Sequence, residues 1–188
     1  MRFPCAVIDP PWPYPEGFNG FGARRALPYE AMLLEAIAAL DVRSVLEREG
    51  YLFVWTTNRY LEAAYPIVAG WGCTPRQTIV WAKPEGARQG LGGMFATNVE
   101  FCIVAQAIRP GTNAHGRRTR GVRMPSSWFT WPVREHSEKP DEFYAVVEQV
   151  ARGPYADIFA RKQRLGWTAL GRAVDGLDIA ESLRRAAA

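Results

Sequence analysis

The stretch Phe3-Pro4-Cys5-Ala6-Val7-Ile8, followed directly by Asp9-Pro10-Pro11-Trp12, decides the fold. Its first six residues are an apolar run of strand length, and the two consecutive prolines end the strand because proline donates no ladder hydrogen bond. An apolar run bounded by a turn signal is typical of a strand that is covered on both faces. We therefore expect a buried first strand with a carboxylate, Asp9, at its carboxyl end.

Apolar runs alternate with segments of helical period along the rest of the chain, which predicts a three-layer α/β sandwich around a mostly parallel sheet. A length of 188 residues suits one such domain with one core. The further strands are predicted at residues 51–55, 78–81, 101–105 and 156–160, the last of the sheet. The helices are predicted at 29–40, 61–68 and 140–150, with a final helix from about Thr168.

Composition restricts the class of protein. No apolar run approaches the ~20 residues of a membrane span, and the first residues lack the long apolar core of a signal peptide, so we expect a cytoplasmic protein without a membrane partner. Three widely spaced cysteines and two histidines predict neither a metal site nor a disulfide framework. The net charge of +4 permits a polyanionic partner without identifying one.

The residues around Asp9 suit a nucleobase amine. Ligands of open α/β sheets bind beyond the carboxyl ends of the strands, where polar residues such as Asp9, Thr56 and Lys83 are predicted. A carboxylate and a proline carbonyl can hold the two N–H groups of an amine, and Trp12 offers a flat face for a base that has left its stack. The alternative is a strand end followed by a proline turn without chemistry.

Basic and aromatic residues share the long segment 109–132, which has no clear period. Such combinations suit nucleic acid through phosphate contacts and base stacking. Two alternatives stay open, a solvated surface for the arginines and packing onto the core for the tryptophans. The residues concerned are Arg117, Arg118, Arg120, Arg123, Trp128 and Trp131, with a second basic cluster at Arg24 and Arg25.

The chain resembles the MT-A-type adenine-N6 methyltransferases, the family of the catalytic subunit of the mRNA adenosine methyltransferase, in a small bacterial or phage form. The resemblance extends from about Ala6 to Gly171. It rests on motifs in the family's order, namely Asp9-Pro10-Pro11-Trp12, Leu27-Pro28-Tyr29, residues 50–57, Trp71-Gly72, Trp81-Ala82-Lys83, residues 136–142, and residues 157–161 with Gly166-Trp167.

This resemblance implies one Rossmann-like methyltransferase domain over residues 1–188, permuted so that the catalytic motif precedes the cofactor strand. It implies transfer of a methyl group from S-adenosylmethionine (SAM) to adenine N6 in nucleic acid, DNA favoured over RNA, with S-adenosylhomocysteine as product and no metal. The implied catalytic residues are Asp9, Pro10, Pro11 and Trp12; those for substrate are Tyr29, Arg117, Arg118, Arg120 and Trp128; those for cofactor are Asp9, Lys139, Asp157, Arg161 and Gln163.

Other readings remain for several of these residues. Lys139 could be a surface lysine beside a helix start, Asp157 a strand-end turn residue, and Arg161 the partner of a local acid. Glu100 matches a family position or is a buried partner of an arginine. At the level of the whole chain, the alternatives are a catalytically silent nucleic-acid-binding subunit and a SAM enzyme that acts on a free nucleotide or small amine.

Overall fold

The computed structural model describes residues 1–14, 30–87, 94–108, 125–134 and 138–188. In these ranges seven strands form one sheet in the order β5-β3-β4-β2-β1-β6-β7. The strands are β1 (Phe3–Ile8), β2 (Leu46–Thr56), β3 (Thr74–Ala82), β4 (Val99–Gln106), β5 (Trp128–Phe129), β6 (Tyr155–Ile158) and β7 (Trp167–Leu170). The α-helices are α1 (Leu34–Ala38), α2 (Leu61–Gly70), α3 (Asp141–Val150), α4 (Arg172–Asp175) and α5 (Ile179–Ala187).

Strand directions bring distant parts of the chain to one edge of the sheet. β1 pairs in parallel with β2 and β6, β6 with β7, and β3 with β5, whereas β4 lies antiparallel between β2 and β3. The carboxyl ends of β1, β2, β3 and β6 and the amino end of β4 therefore share one edge, called the carboxyl rim below. The expected mostly parallel sheet is confirmed.

The two faces of the sheet carry separate apolar cores. Ala6 and Ile8 of β1 face the cluster that α1, α2 and α5 complete, whereas Cys5 and Val7 face the cluster around Phe143 of α3. Because neighbouring side chains of a strand point to opposite faces, β1 is fully buried and both sides need a helical layer. This confirms the three-layer arrangement. No helix in the described ranges is long and apolar enough to cross a membrane.

One sequence-based assignment near the end of the chain was wrong. The strand at 156–160 is not the last, because β7 lies where a helix from about Thr168 was predicted. Trp167 and Leu170 are buried while Thr168 is exposed, and β7 completes the sheet beside β6. Strand pairing with β6 thus outweighs the intrinsic helix propensity of Ala169 and Leu170. Gly171 ends β7 with a φ of 128°, and a Cβ there would lie 3.3 Å from the Phe159 backbone.

Two other predicted segments differ from the observed structure in how much of them is regular. The segment 109–132 was predicted without regular structure, but Trp128 and Phe129 form β5 because the backbone N–H of Val80 donates to the Ser127 carbonyl and extends the sheet. The helix predicted at 29–40 is α-helical only at Leu34–Ala38 in the described residues.

Candidate active site

The segment from Asp9 to Tyr14, called the motif loop below, leaves β1 at the carboxyl rim. The backbone N–H of Trp12 donates to the Pro10 carbonyl at 2.9 Å, and that of Met32 donates to the Pro11 carbonyl at 2.9 Å. Both proline carbonyls, which were predicted as acceptors for an amine, therefore accept one hydrogen bond each from the protein backbone. A carbonyl oxygen has two lone pairs, so each keeps capacity for a second donor.

The Trp12 side chain makes contacts within the protein that its motif does not predict. Its side chain is buried, its indole N–H donates to the Trp55 carbonyl at 3.0 Å, and its ring stacks on Tyr60 with centroids 5.4 Å apart. The indole thus anchors the motif loop to β2, and one face of its ring lies against Tyr60. The base-stacking role of Trp12 stays a prediction.

A cluster of four alternating charges, called the rim cluster below, lies at the carboxyl rim. The ammonium of Lys139 lies 2.9 Å from Asp9 Oδ2 and 3.2 Å from Glu100 Oε2, and Lys83 Nζ lies 2.9 Å from Glu100 Oε1. These residues come from the end of β1, the segment before α3, the start of β4 and the end of β3. The Lys139 side chain is only 10% exposed, so it is not the surface lysine of the alternative reading.

Opposite charges in this cluster stabilise one another. Burial by itself would lower the pKa of Lys139, but the carboxylates of Asp9 and Glu100 outweigh it and hold that pKa above its ordinary value. Burial would raise the pKa of Glu100, yet Lys139 and Lys83 keep it below its ordinary value. Lys139 and Glu100 are therefore both charged at neutral pH, and Glu100 partners two lysines rather than an arginine.

The surroundings of Lys139 suit a ligand carboxylate. The ammonium lies over the Trp55 ring, 5.4 Å from its centroid, and the Trp55 indole N–H is buried without a hydrogen-bond partner among the described residues. A buried ammonium and a buried donor without an acceptor are groups that a carboxylate can satisfy. The methionine carboxylate of SAM fits this donor set.

Asp157 lies on β6, next to the rim cluster. Its side chain is buried, and the Tyr144 hydroxyl of α3 donates to its Oδ2 at 3.1 Å. Burial raises the pKa of Asp157 to about 7, with a further rise from the charge of Asp9, against the opposing hydrogen bond from Tyr144. One carboxylate oxygen is thus engaged by the protein, and the predicted ribose contact of Asp157 stays a prediction.

The segment after β6, residues 159–166, holds the remaining predicted cofactor residues and is called the second loop below. Arg161 is exposed, and Gln163 donates to the Trp167 carbonyl at 2.8 Å. Gln163 lines a cavity of about 490 Å³ with Arg164, which lies over the Tyr144 ring at 3.8 Å. Asp9 and Lys139 do not line that cavity. The ribose roles of Arg161 and Gln163 therefore stay predictions.

The predicted nucleic-acid residues divide into two groups. Trp128 and Trp131 are described and differ, since Trp128 is 56% exposed on the edge strand β5 whereas Trp131 is buried and stacks on Phe129 at 4.1 Å. The core-packing alternative thus holds for Trp131 and not for Trp128. The others lie outside the described residues, namely Tyr29, Arg24, Arg25, Arg117, Arg118, Arg120 and Arg123.

Two residues of this region were not singled out from the sequence. Tyr60 stacks on Trp12, and Tyr144 bonds Asp157. Tyr144 belongs to the apolar pattern of α3 and Tyr60 directly precedes α2, so only the packing of these helices against the sheet reveals what the two hydroxyls contact. Among the described residues, no group of three or more His, Cys, Asp or Glu side chains could hold a metal ion.

Comparison with known families identifies the chain. The profile of the MT-A70 family matches residues 3–173, which include the motif loop, the rim cluster and the second loop. The chain belongs to the MT-A70 family. The MT-A70 match ends just after β7, so α5 lies outside it.

Known relatives fall into two kinds. A putative N(6)-adenosine-methyltransferase MT-A70-like protein of Medicago truncatula is 28% identical over 98% of this chain, and the N(6)-adenosine-methyltransferase catalytic subunit METTL3 of Homo sapiens is 26% identical over 95%. The chain spans only 28% and 29% of their lengths. The type II methyltransferase M.MunI of Mycoplasma sp is 27% identical over 88% of this chain and 75% of its own length.

Proposed function

We propose that this MT-A70 protein transfers the methyl group of SAM to the N6 amine of an adenine in a nucleic acid, DNA favoured over RNA. The observation that carries the proposal is the Lys139–Asp9 ion pair, at the rim and next to two proline carbonyls. In this pair, the Asp9 carboxylate is a group that can hold the target amine. The Lys139 ammonium beside it is a group that can hold the methionine carboxylate of SAM. A silent binding subunit has no need of such a costly buried charge cluster.

The protein would hold the two ends of SAM with different elements. Lys139, with the spare indole donor of Trp55, would hold the methionine carboxylate. Asp157, Arg161 and Gln163 would hold the ribose end. When bound, SAM supplies an electrophilic methyl group, so this chain's residues need only place the acceptor nitrogen and accept its charge.

Asp9 and the proline carbonyls would orient that nitrogen. An aromatic amine is a weak nucleophile because its lone pair is delocalised into the ring, and two acceptors on its N–H groups counter this delocalisation. Lys139 engages Asp9 Oδ2 at present. A second acceptor for Lys139 would leave the Asp9 carboxylate free to bind the amine and to neutralise the positive charge that develops on it.

The residues that the family resemblance implies for substrate would bind the nucleic acid. Tyr29 would line the adenine pocket, Arg117, Arg118 and Arg120 would contact phosphates, and Trp128 would stack on a base. The exposure of Trp128 supports its part in this proposal. An adenine must leave a helical stack to reach Asp9, so single-stranded or unpaired sites should react faster than intact duplex.

Nucleoside mass spectrometry tests the proposal directly. The purified chain is incubated with isotope-labelled SAM and matched single-stranded or duplex DNA and RNA, and with free adenosine. We expect N6-methyladenine in nucleic acid, most in single-stranded DNA, and none with Asp9→Ala. Labelled product in free adenosine alone would support the small-molecule alternative, and SAM binding without any product would support a silent subunit.

A further inference from the structure

Tyr60 contacts three consecutive residues of the motif loop. Its ring stacks on Trp12 at an interplanar angle of 12°, its hydroxyl donates to the Pro13 carbonyl, and the Tyr14 ring packs edge-on against it with centroids 5.2 Å apart. Tyr60 is itself 7% exposed. One side chain thus uses both its ring and its hydroxyl on a single short loop.

The position of Tyr60 in the fold is fixed. Its carbonyl accepts the first helical hydrogen bond of α2, from Ala64 at 2.8 Å, and its N–H donates to the Thr57 carbonyl at 3.0 Å. The Tyr14 hydroxyl is hydrogen-bonded to Thr57 Oγ1. The residues between β2 and α2 therefore hold the end of the motif loop. The beginning of the loop is held by β1 and by β6, whose Ile158 carbonyl accepts a hydrogen bond from the Asp9 N–H.

We infer that Tyr60 is a positioning residue that holds the motif loop, and through it Asp9, in the geometry needed to receive the target amine. This inference rests on the proposed function. Prolines at positions 10, 11 and 13 stiffen the loop but donate no N–H groups, so side chains must anchor it. Trp12 and Tyr60 together supply that anchor, which is why the motif tryptophan is buried.

Two substitutions separate the contributions of Tyr60. Tyr60→Phe keeps the stack and removes the bond to the Pro13 carbonyl, and we expect kcat to fall about 2–10-fold, the equivalent of one hydrogen bond. Tyr60→Leu removes the stack as well, and we expect kcat to fall about 100-fold, the scale of a displacement of about 1 Å. KM for the oligonucleotide should stay within about 3-fold.

Tyr155 provides a matched control. It stacks on Trp167 with centroids 4.7 Å apart and donates to the Ala151 carbonyl at 3.0 Å, so it makes the same two kinds of contact. It lies beside Cys5, at the opposite end of β1 from Asp9. Tyr155→Leu should therefore lower Tm as Tyr60→Leu does, while kcat of the folded protein stays that of the parent.

Amide exchange measures the loop without any reaction. In protein labelled with ¹⁵N-tryptophan and ¹⁵N-tyrosine, the Trp12 and Tyr14 amides should exchange faster in Tyr60→Leu and not in Tyr155→Leu. Parental exchange and kcat in Tyr60→Leu, or an equal loss of kcat in Tyr155→Leu, would overturn the inference. If the parent itself methylates nothing, the proposed function fails, and the exchange experiment alone decides whether Tyr60 orders the loop.

Discussion

The motif loop and the second loop leave the same rim of the sheet but are built differently. Each residue of the motif loop is buried or half-buried, and β2, β6 and Tyr60, the residue before α2, all form hydrogen bonds to it. In the second loop, Lys162 and Gln163 are exposed, and Leu165 is 99% exposed. The motif loop is thus ordered by contacts to several elements of the sheet, whereas the second loop is held mainly by contacts to α3 and β7.

Asp9→Asn gives the sharpest contrast between the two loops. The amide keeps the size of the side chain and one acceptor oxygen but loses the charge, so we expect turnover to fall by roughly two or more orders of magnitude. SAM affinity should stay within a few-fold of the parent. Single-turnover kinetics and calorimetry measure the two quantities. Parental turnover in this variant would remove Asp9 from the chemistry.

Lys139→Ala acts at the point where the two ligands would meet. We expect SAM affinity to weaken by about 1.5–3 kcal/mol, the scale of a hydrogen bond to a charged group. Arg185→Ala is the control, because that arginine is exposed and pairs with Glu181 on α5, outside the predicted site, and it should leave SAM affinity unchanged. Equal SAM affinity in folded Lys139→Ala and in the parent would move the carboxylate site elsewhere.

The sequence predicted the motif loop better than the rim cluster. The apolar run before Asp9 and the prolines after it sufficed to place a carboxylate at a strand end. Lys139 was implied only by family resemblance, since its contact with Asp9 depends on how α3 packs on the sheet. The two lysines of Glu100 could not be predicted, because the antiparallel direction of β4 brings that residue to the carboxyl rim and periodicity does not encode strand direction.

Trp12 and Thr168 show two different limits. The motif of Trp12 suggests a base-stacking role, which stays a prediction, but it does not reveal the contact of Trp12 with Tyr60, 48 positions along the chain. Thr168 lies in a four-residue stretch too short for periodicity to distinguish a strand from a helix. Both features depend on partners distant in sequence rather than on the local pattern.

Asp157→Asn tests whether the buried carboxylate of β6 makes the stability of the protein depend on pH. The folded-state pKa of Asp157, about 7, exceeds its ordinary value, so the folded protein binds this proton more tightly than the unfolded chain does. Stability from this group is therefore present at low pH and is lost as pH rises from about 4 through 7. The parent should lose roughly 2–3 kcal/mol between pH 5 and 8 from this source.

In Asp157→Asn that loss should disappear, since asparagine does not titrate and can still accept the Tyr144 hydroxyl. Urea denaturation at pH 5 and 8 measures it. Glu100 does not interfere, because its lowered pKa places its own transition at more acidic pH. A variant with the same pH dependence as the parent would show that Asp157 ionises freely in the folded protein.

Trp128→Ala should have the smallest effect and extends the comparison to the edge of the sheet. The Trp128 side chain is 56% exposed, so its removal should change the free energy of unfolding by no more than about 0.5 kcal/mol. Loss of one stacked base should weaken oligonucleotide affinity by about 1 kcal/mol, at the lower end for base–aromatic contacts. Trp131→Ala is the matched control, because that ring is buried between Phe129 and Phe143 and its loss should cost about 3–5 kcal/mol of stability. Fluorescence anisotropy with a labelled single-stranded oligonucleotide gives the affinity. If Trp128→Ala binds as tightly as the parent at each salt concentration, the nucleic acid does not pass over β5, and the approach to Asp9 must lie on the other side of the rim.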